Sequence, residues 1–216
     1  VRSNNSKNAD MTRGKFITLE GGEGVGKTTN LEFIRGYLQK CGVRFLVTRE
    51  PGGTPIGEAI RRLVIDSQGM GAQTELLLMF AARAQHLEEV IEPALTEGIW
   101  VVCDRFTDAS YAYQGGGRGI DTGVIQFLEA WLQKGLEPDL TLLFDAPVEI
   151  GLKRAQGRGQ LDRFETELPA FFSRVREAYC DLAKRWPHRI KLLDATQPLA
   201  DVQAEIAKHL DSLHQS

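Results

Sequence analysis

The residues with the plainest chemistry stand in one run, Gly21-Gly22-Glu23-Gly24-Val25-Gly26-Lys27-Thr28. It fits G-x-x-x-x-G-K-[ST], a phosphate-cradling P-loop. Glycines let successive backbone N–H groups turn inward and approach phosphate oxygens. A helix starting at this point adds the positive end of its dipole. Lys27 reaches the β- and γ-phosphates, and the Thr28 hydroxyl ligates Mg2+. The flanks agree. Phe16-Ile17-Thr18-Leu19 is an apolar, β-branched run that reads as a buried strand. Thr29–Lys40 reads as the following helix, with Leu31, Ile34 and Leu38 on one face.

Other candidates stand where apolar runs end. Arg49 and Glu50 precede Pro51-Gly52-Gly53, a tight loop that holds them near the sheet edge, and Arg61 lies one helical stretch further on. A solvated ion pair at a surface turn fits the same residues equally well. Two runs end in a carboxylate able to help hold Mg2+, at Asp104-Arg105 and at Asp145. The arginine beside Asp104 favours the first, because its fork suits a nearby phosphate. Asp145 is better read as a helix N-cap before Pro147. Tyr111-Ala112-Tyr113-Gln114-Gly115-Gly116-Gly117-Arg118-Gly119 reads as a flexible or closely approached loop. Gln114 offers the donor and acceptor needed to read a nucleobase edge, although an ordinary surface loop fits as well. Arg83 shares a helix face with Met79 and Phe80, which suits a base platform or plain core packing. Lys153 to Arg163 is basic and glycine-hinged. It suits a lid bringing arginines over transferring phosphates, with a solvated charge run as the alternative.

The elements that must position these groups alternate regularly. Apolar runs at Phe16–Leu19, Phe45–Thr48, Trp100–Cys103, Leu140–Phe144 and Ile190–Leu193 read as strands covered on both faces. Helical patterns cover Thr29–Lys40, Ile56–Ile65, Thr74–Glu97, Thr122–Gln133, Val148–Arg154, Phe171–Arg185 and Leu199–Leu213. This alternation predicts a parallel α/β sheet with right-handed crossovers and ligands at the carboxyl ends of its strands. Glu20, Arg49, Asp104 and Asp145 stand at those ends. A chain of 216 residues, 42% hydrophobic and 25% charged, suits one large domain. A net charge of −3 gives no sign of a nucleic-acid or anionic-membrane surface, and no apolar run has the length of a membrane span. Cys41, Cys103 and Cys180 lack metal-ligand spacing and predict a reducing, cytoplasmic setting without disulfides. Residues 1–10 are polar and without an apolar signal core. They read as a disordered extension or remnant ahead of a domain over 11–216.

Taken jointly, the P-loop, Thr48-Arg49-Glu50-Pro51-Gly52-Gly53, Asp104-Arg105-Phe106 and Tyr113-Gln114-Gly115-Gly116-Gly117-Arg118-Gly119 resemble bacterial thymidylate kinases in order and spacing from Met11 onward. The resemblance implies a P-loop NTPase fold: a five-stranded parallel sheet, helices on both faces and a short lid over about 153–164. It implies transfer of the ATP γ-phosphate to dTMP, giving dTDP and ADP in dTTP biosynthesis. ATP then binds Gly21, Gly22, Glu23, Gly24, Val25, Gly26, Lys27, Thr28 and Thr29, with Arg154 from the lid. Thr28 and Asp104 hold Mg2+, directly or through water. The dTMP site takes Glu23 at the sugar 3′-hydroxyl, with Arg49, Glu50, Arg61 and Arg105 around the monophosphate. Arg83, Ser110 and Gln114 serve the thymine, and Tyr113 disfavours ribose at the 2′ position. The aromatic that stacks on thymine is matched by Met79, with Phe80 one step later. One subtype of the family carries its catalytic arginine in the P-loop and the other in the lid. Gly24 at the P-loop position, with Arg154, Arg158 and Arg163 in the lid, resembles the lid subtype and makes Arg158 the first choice. The resemblance also implies a homodimer, with the Thr74–Glu97 pattern as a source of the interface.

The acceptor in such a reaction is a phosphate monoester, largely ionised near neutral pH because its second pKa is about 6. No strong general base is required. Lys27, Arg105 and Arg158 are expected to stabilise charge while Glu23 and Gln114 fix position. The rival readings are a P-loop kinase for another nucleotide or nucleoside, a regulatory GTPase and a non-catalytic nucleotide binder. No N-K-x-D element favours the GTPase, and intact Lys27, Thr28 and Arg158 speak against a silent site. Adenine contacts are sought at Asp194–Leu199.

Overall fold

The computed structural model describes residues 13–156, 164 and 167–215. Five strands run parallel in the order β2-β3-β1-β4-β5. They are β1 (Phe16–Gly21), β2 (Phe45–Arg49), β3 (Trp100–Asp104), β4 (Leu140–Asp145) and β5 (Ile190–Asp194). The central strand is buried along its whole length, as its unbroken apolar run demands.

Strand alternation divides the core between the two faces. Ile17, Leu19 and Val102 join Leu142 and Phe144 beneath α1 (Lys27–Lys40) and α9 (Leu199–Gln215). Phe16, Val101 and Cys103 point to the opposite face, against Leu87, Ile91 and Leu95. Polar Thr18 and Thr141 also face that way and satisfy one another, with their hydroxyls 2.8 Å apart.

The remaining helices follow their local signals. In α2 (Pro55–Asp66), Thr54 caps the first turn by accepting the Gly57 N–H at 2.9 Å, and Pro55 occupies the first helical position. In α6 (Thr122–Gln133), Asp121 does the same for the Gly123 N–H at 2.6 Å. α5 (Thr107–Ser110), α7 (Val148–Gln156) and α8 (Pro169–Arg185) complete this set.

Three local expectations are corrected. The pattern Thr74–Glu97 is not one helix. It divides into α3 (Ala72–His86), a π-helical turn (Leu87–Ile91) and α4 (Glu92–Thr96). Pro93 has no N–H for the ladder and its ring crowds the carbonyl four residues back. A widened turn just ahead of it absorbs both. Asp145 is not an N-cap, because α7 starts three residues later. Its carboxylate instead takes both arms of Arg176, at 2.7 and 2.8 Å. The segment Tyr111–Gly117 is no loop but a π-helical turn continuing α5.

Close approach is what this last segment needs glycine for. A Cβ at Gly116 would stand 2.7 Å from the Ala178 Cβ and 2.8 Å from the Arg174 carbonyl oxygen, both on α8. Gly116→Ala is therefore expected to lower unfolding stability by about 1–3 kcal/mol, the usual cost of overpacking. Urea unfolding with an unchanged midpoint would show that α8 yields freely.

Candidate functional site

The carboxyl ends of β1, β2 and β3 open into a cavity of about 320 Å3. It is lined by Glu23 to Thr28, Arg49, Glu50, Arg61, Met79, Arg83, Asp104, Arg105, Ser110, Tyr113 and Gln114. Most residues singled out from the sequence therefore meet in one place. On the other side of the same loop lies a second cleft, formed by Gly24, Thr28, Thr29, Arg154, Ala195, Gln197 and Leu199. It includes part of the Asp194–Leu199 segment, and Arg154 donates there to the Ala195 carbonyl at 3.1 Å. Gly21 and Gly22 line neither; they form the base of the loop beside β4. Arg158 and Arg163 lie outside the described residues.

Lys27 lines the larger cavity. Its Nζ donates to the carbonyls of Gly21 and Gly22, at 3.1 and 2.9 Å. Burial, and then the nearby Arg105 charge, pull its pKa below the ordinary lysine value. Gly26 takes φ 94° just ahead of α1, which aims the helix N-terminus at the loop. At Gly24, φ is 70° and a Cβ would run into the Gly151 carbonyl oxygen. That position has no room for any side chain.

Arg105 is held by four partners. It donates to Glu23 Oε1 at 2.5 Å, to the Gly21 carbonyl at 3.0 Å and to the Tyr179 hydroxyl at 3.3 Å. Its guanidinium lies 4.7 Å from the Tyr113 ring centroid, and the Tyr113 hydroxyl donates to the same Glu23 oxygen at 2.8 Å. The backbone of Arg105 is left-handed, with φ 70°. Glu20, buried beneath, accepts the next N–H, that of Phe106, at 2.7 Å, and the Tyr179 hydroxyl at 2.7 Å.

Burial, and then the nearby Asp108 charge, push the Glu20 carboxyl up to about 8. The folded protein thus holds a proton that the unfolded chain releases above 4.5. This contribution to stability is fully present below that value and is lost as pH rises through about 8. Between about pH 6 and pH 9, the Tm of Glu20→Gln should fall less than that of the wild type. Equal slopes would mean that Glu20 is already ionised at pH 6.

Arg83 is buried at the far end of the cavity. It donates to Glu50 at 2.7 Å, and to Ser110 Oγ and the Phe106 carbonyl, each at 3.2 Å. The other Glu50 oxygen is 3.0 Å from His86, whose second nitrogen is 2.6 Å from the Thr48 hydroxyl. The stacking assignment is corrected here. Phe80 does not line the cavity; it packs with Leu76, Ile125 and Leu128, under the Arg83 guanidinium at 4.6 Å. Met79 faces the cavity. Arg49 and Arg61 also line the cavity. Arg49 pairs with Glu58 at 2.9 Å, and Arg61 donates to the Pro51 carbonyl at 3.2 Å.

Sequence reasoning missed Glu75, Tyr179 and His86. A signal existed for Glu75, because Glu75, Met79 and Arg83 recur every four residues on one helix face. Tyr179 and His86 carried none.

A family model described as thymidylate kinase matches residues 19–206. This chain belongs to the thymidylate kinase family. The thymidylate kinase of Methylococcus capsulatus is 61% identical over 203 residues, covering 94% of this chain and 98% of that protein. That of Pseudomonas syringae pv. tomato is 59% identical over 202 residues, covering 93% and 96%. The crystal structure of the thymidylate kinase from Ehrlichia chaffeensis superposes with a TM-score of 0.76 at 34% identity, covering 92% of this chain and 99% of that one. A thymidylate kinase is a nucleoside monophosphate kinase, so the chemistry of this site is phosphoryl transfer to a phosphate acceptor. No helix among the described residues is long and apolar enough to cross a membrane.

Proposed function

We propose that the larger cavity seats dTMP and the second cleft seats ATP, so that their phosphates meet over Lys27. The reaction is that of the family, transfer of the ATP γ-phosphate to dTMP with formation of dTDP and ADP. One observation carries the assignment of sides: a single P-loop is shared by a cavity ending in buried Arg83 and Gln114 and a cleft bounded by Arg154 and Ala195. The first offers hydrogen-bonding groups for a base edge, and the second an open wall suited to adenine.

Within this reading, Gly21 to Thr29 and Arg154 bind ATP. Arg49, Glu50, Arg61 and Arg105 surround the dTMP phosphate, and Glu23 takes the sugar 3′-hydroxyl. Tyr113 closes the 2′ side, held there by its bond to Glu23. Met79 contacts the thymine face with a polarisable thioether. Ser110 acts through Arg83, whose guanidinium it accepts from.

The residues present fit Mg2+. Asp104 Oδ1 is buried without a hydrogen-bond partner among the described residues, and the Thr28 hydroxyl is exposed at the same cavity. No cluster of three acidic, His or Cys ligands occurs among the described residues, as befits an ion held largely by substrate phosphates. When bound, Mg2+ supplies charge neutralisation at the transferring phosphoryl group. Lys27 and Arg105 supply the remaining positive charge from fixed positions, which avoids reorganisation during the reaction.

The catalytic arginine of this reading is Arg158. The lack of space at Gly24 supports a source outside the P-loop. Arg158→Ala should lower kcat about a hundredfold with little change in dTMP binding, because Arg154 and Arg163 retain part of the charge. Unchanged kcat with a raised KM would assign Arg158 to binding instead.

A homodimer in the cytoplasm completes the proposal. Val124, Phe127 and Trp131 form an exposed stripe on α6, with Leu77 exposed on the neighbouring α3. Light scattering should give twice the 24.0 kDa chain mass. ADP release with dTMP, dUMP, dCMP, dGMP, AMP, UMP and thymidine offered separately tests the substrate. Strong turnover with dTMP and weaker turnover with dUMP are expected; preference for any other acceptor removes the base-pocket reading.

A further inference from the structure

Gln114 lies in the cavity, but only half of its amide is available there. Its Nε2 donates to Glu75 Oε1 at 2.9 Å. Glu75 is fully buried and also receives Arg118, whose Nε lies 3.2 and 3.3 Å from its two oxygens. A carboxylate paired with a guanidinium only accepts hydrogen bonds. It therefore compels the Gln114 amide to turn its NH2 inward. The bond to Glu75 is the one side-chain hydrogen bond of Gln114 among the described residues, and it leaves Oε1 on the other side of the amide.

We propose that Glu75 is a specificity-positioning residue that fixes the Gln114 amide, so that the site presents a carbonyl acceptor to the base edge and selects an imide N–H. The inference rests on the dTMP reading above. Thymine carries an N3–H donor beside a carbonyl oxygen, which matches Gln114 Oε1 and the Arg83 donors. A 4-aminopyrimidine carries an acceptor at N3 and a donor beside it, and is opposed at both points. An amide free to flip would meet either base, whereas one locked by a buried ion pair leaves the wrong base with facing acceptors. Polar groups left unpaired in this way are the strongest means of discrimination in a site of this size.

The test compares kcat/KM for dTMP and for 5-methyl-dCMP, which keeps the methyl group but reverses both hydrogen-bonding positions. In Glu75→Gln the new amide can donate or accept, so Gln114 is released to turn over. Arg118 keeps a partner in that variant, because it also donates to Glu167 at 2.5 Å. The dTMP to 5-methyl-dCMP ratio should fall about tenfold, with part of the selectivity retained by Arg83. If both values fall by one factor and the ratio stands, Glu75 is structural and the inference is overturned while the dTMP reading survives. A wild type that does not turn over dTMP overturns both.

Should Glu75→Gln fail to fold, the wild type decides. The side-chain NH2 of 15N-labelled Gln114 should exchange slowly with solvent before and after dTMP is added. Fast exchange in the free protein, or an NH2 resonance that moves on dTMP binding as a directly bonded donor does, overturns the proposal.

Discussion

Lys27→Ala is expected to lower kcat about a thousandfold while the protein remains folded. Its Nζ is fixed by two loop carbonyls, in the P-loop wall of the larger cavity. Among the described residues no other lysine lines either cleft, and the lining arginines Arg49, Arg61, Arg83, Arg105 and Arg154 are each held by partners of their own. A buried ammonium aimed at developing phosphate charge acts more strongly than one in water. Removing it leaves nucleotide affinity partly intact, because the P-loop N–H groups and the helix N-terminus remain. The loss should therefore fall mainly on kcat, measured at saturating ATP and dTMP. A variant with near-normal kcat and a raised KM for ATP would make Lys27 a tether for the ground state rather than a contributor to the transition state.

Arg105 offers a sharper separation of activity from stability. Arg105→Ala and Arg105→Gly should each lose about a thousandfold in kcat/KM, since both remove the guanidinium that joins Glu23, Gly21 and Tyr113 at the P-loop end of the cavity, where we propose the dTMP phosphate sits. Their stabilities should differ. A φ of 70° at this position disfavours any L side chain and costs glycine nothing. Arg105→Gly should therefore be more stable than Arg105→Ala by about 1 kcal/mol in urea unfolding. The strain is sustained because the Arg105 N–H reaches the Leu19 carbonyl at 3.0 Å and the Phe106 N–H reaches Glu20. If the alanine variant matches or exceeds the glycine variant, the turn relaxes once the arginine is gone. The left-handed backbone would then be a consequence of the side-chain contacts rather than of the turn.

These two residues differ in how visible they were beforehand. Lys27 is named by its motif alone, because a P-loop is a local object: glycines, lysine and hydroxyl lie within eight consecutive residues between a strand and a helix. Asp104 and Arg105 were legible as a strand end followed by a charge. Of the four strand-end residues, Arg49 and Asp104 line the cavity, Glu20 is buried beneath it, and Asp145 belongs to Arg176. No local pattern distinguishes the four, since the decision rests on α8, which follows β4 by more than twenty residues.

The amino-acid sequence by itself determined the five parallel strands, the order of elements, the P-loop and the family. Each is encoded by short-range apolar period, glycine placement or motif order, which need no knowledge of what lies across the fold. Tertiary structure alone decided that Met79 rather than Phe80 faces the cavity. The helix is rotated by the packing of Leu76 and Phe80 against Ile125 and Leu128. It decided that Gly24 can bear no side chain, because the Gly151 backbone passes over it. It decided that Gln114 has one free face, because Glu75 arrives from 39 positions away. Side-chain direction, partner and burial arise where distant elements meet. A one-dimensional pattern records which residues are available for such meetings but not which of them meet.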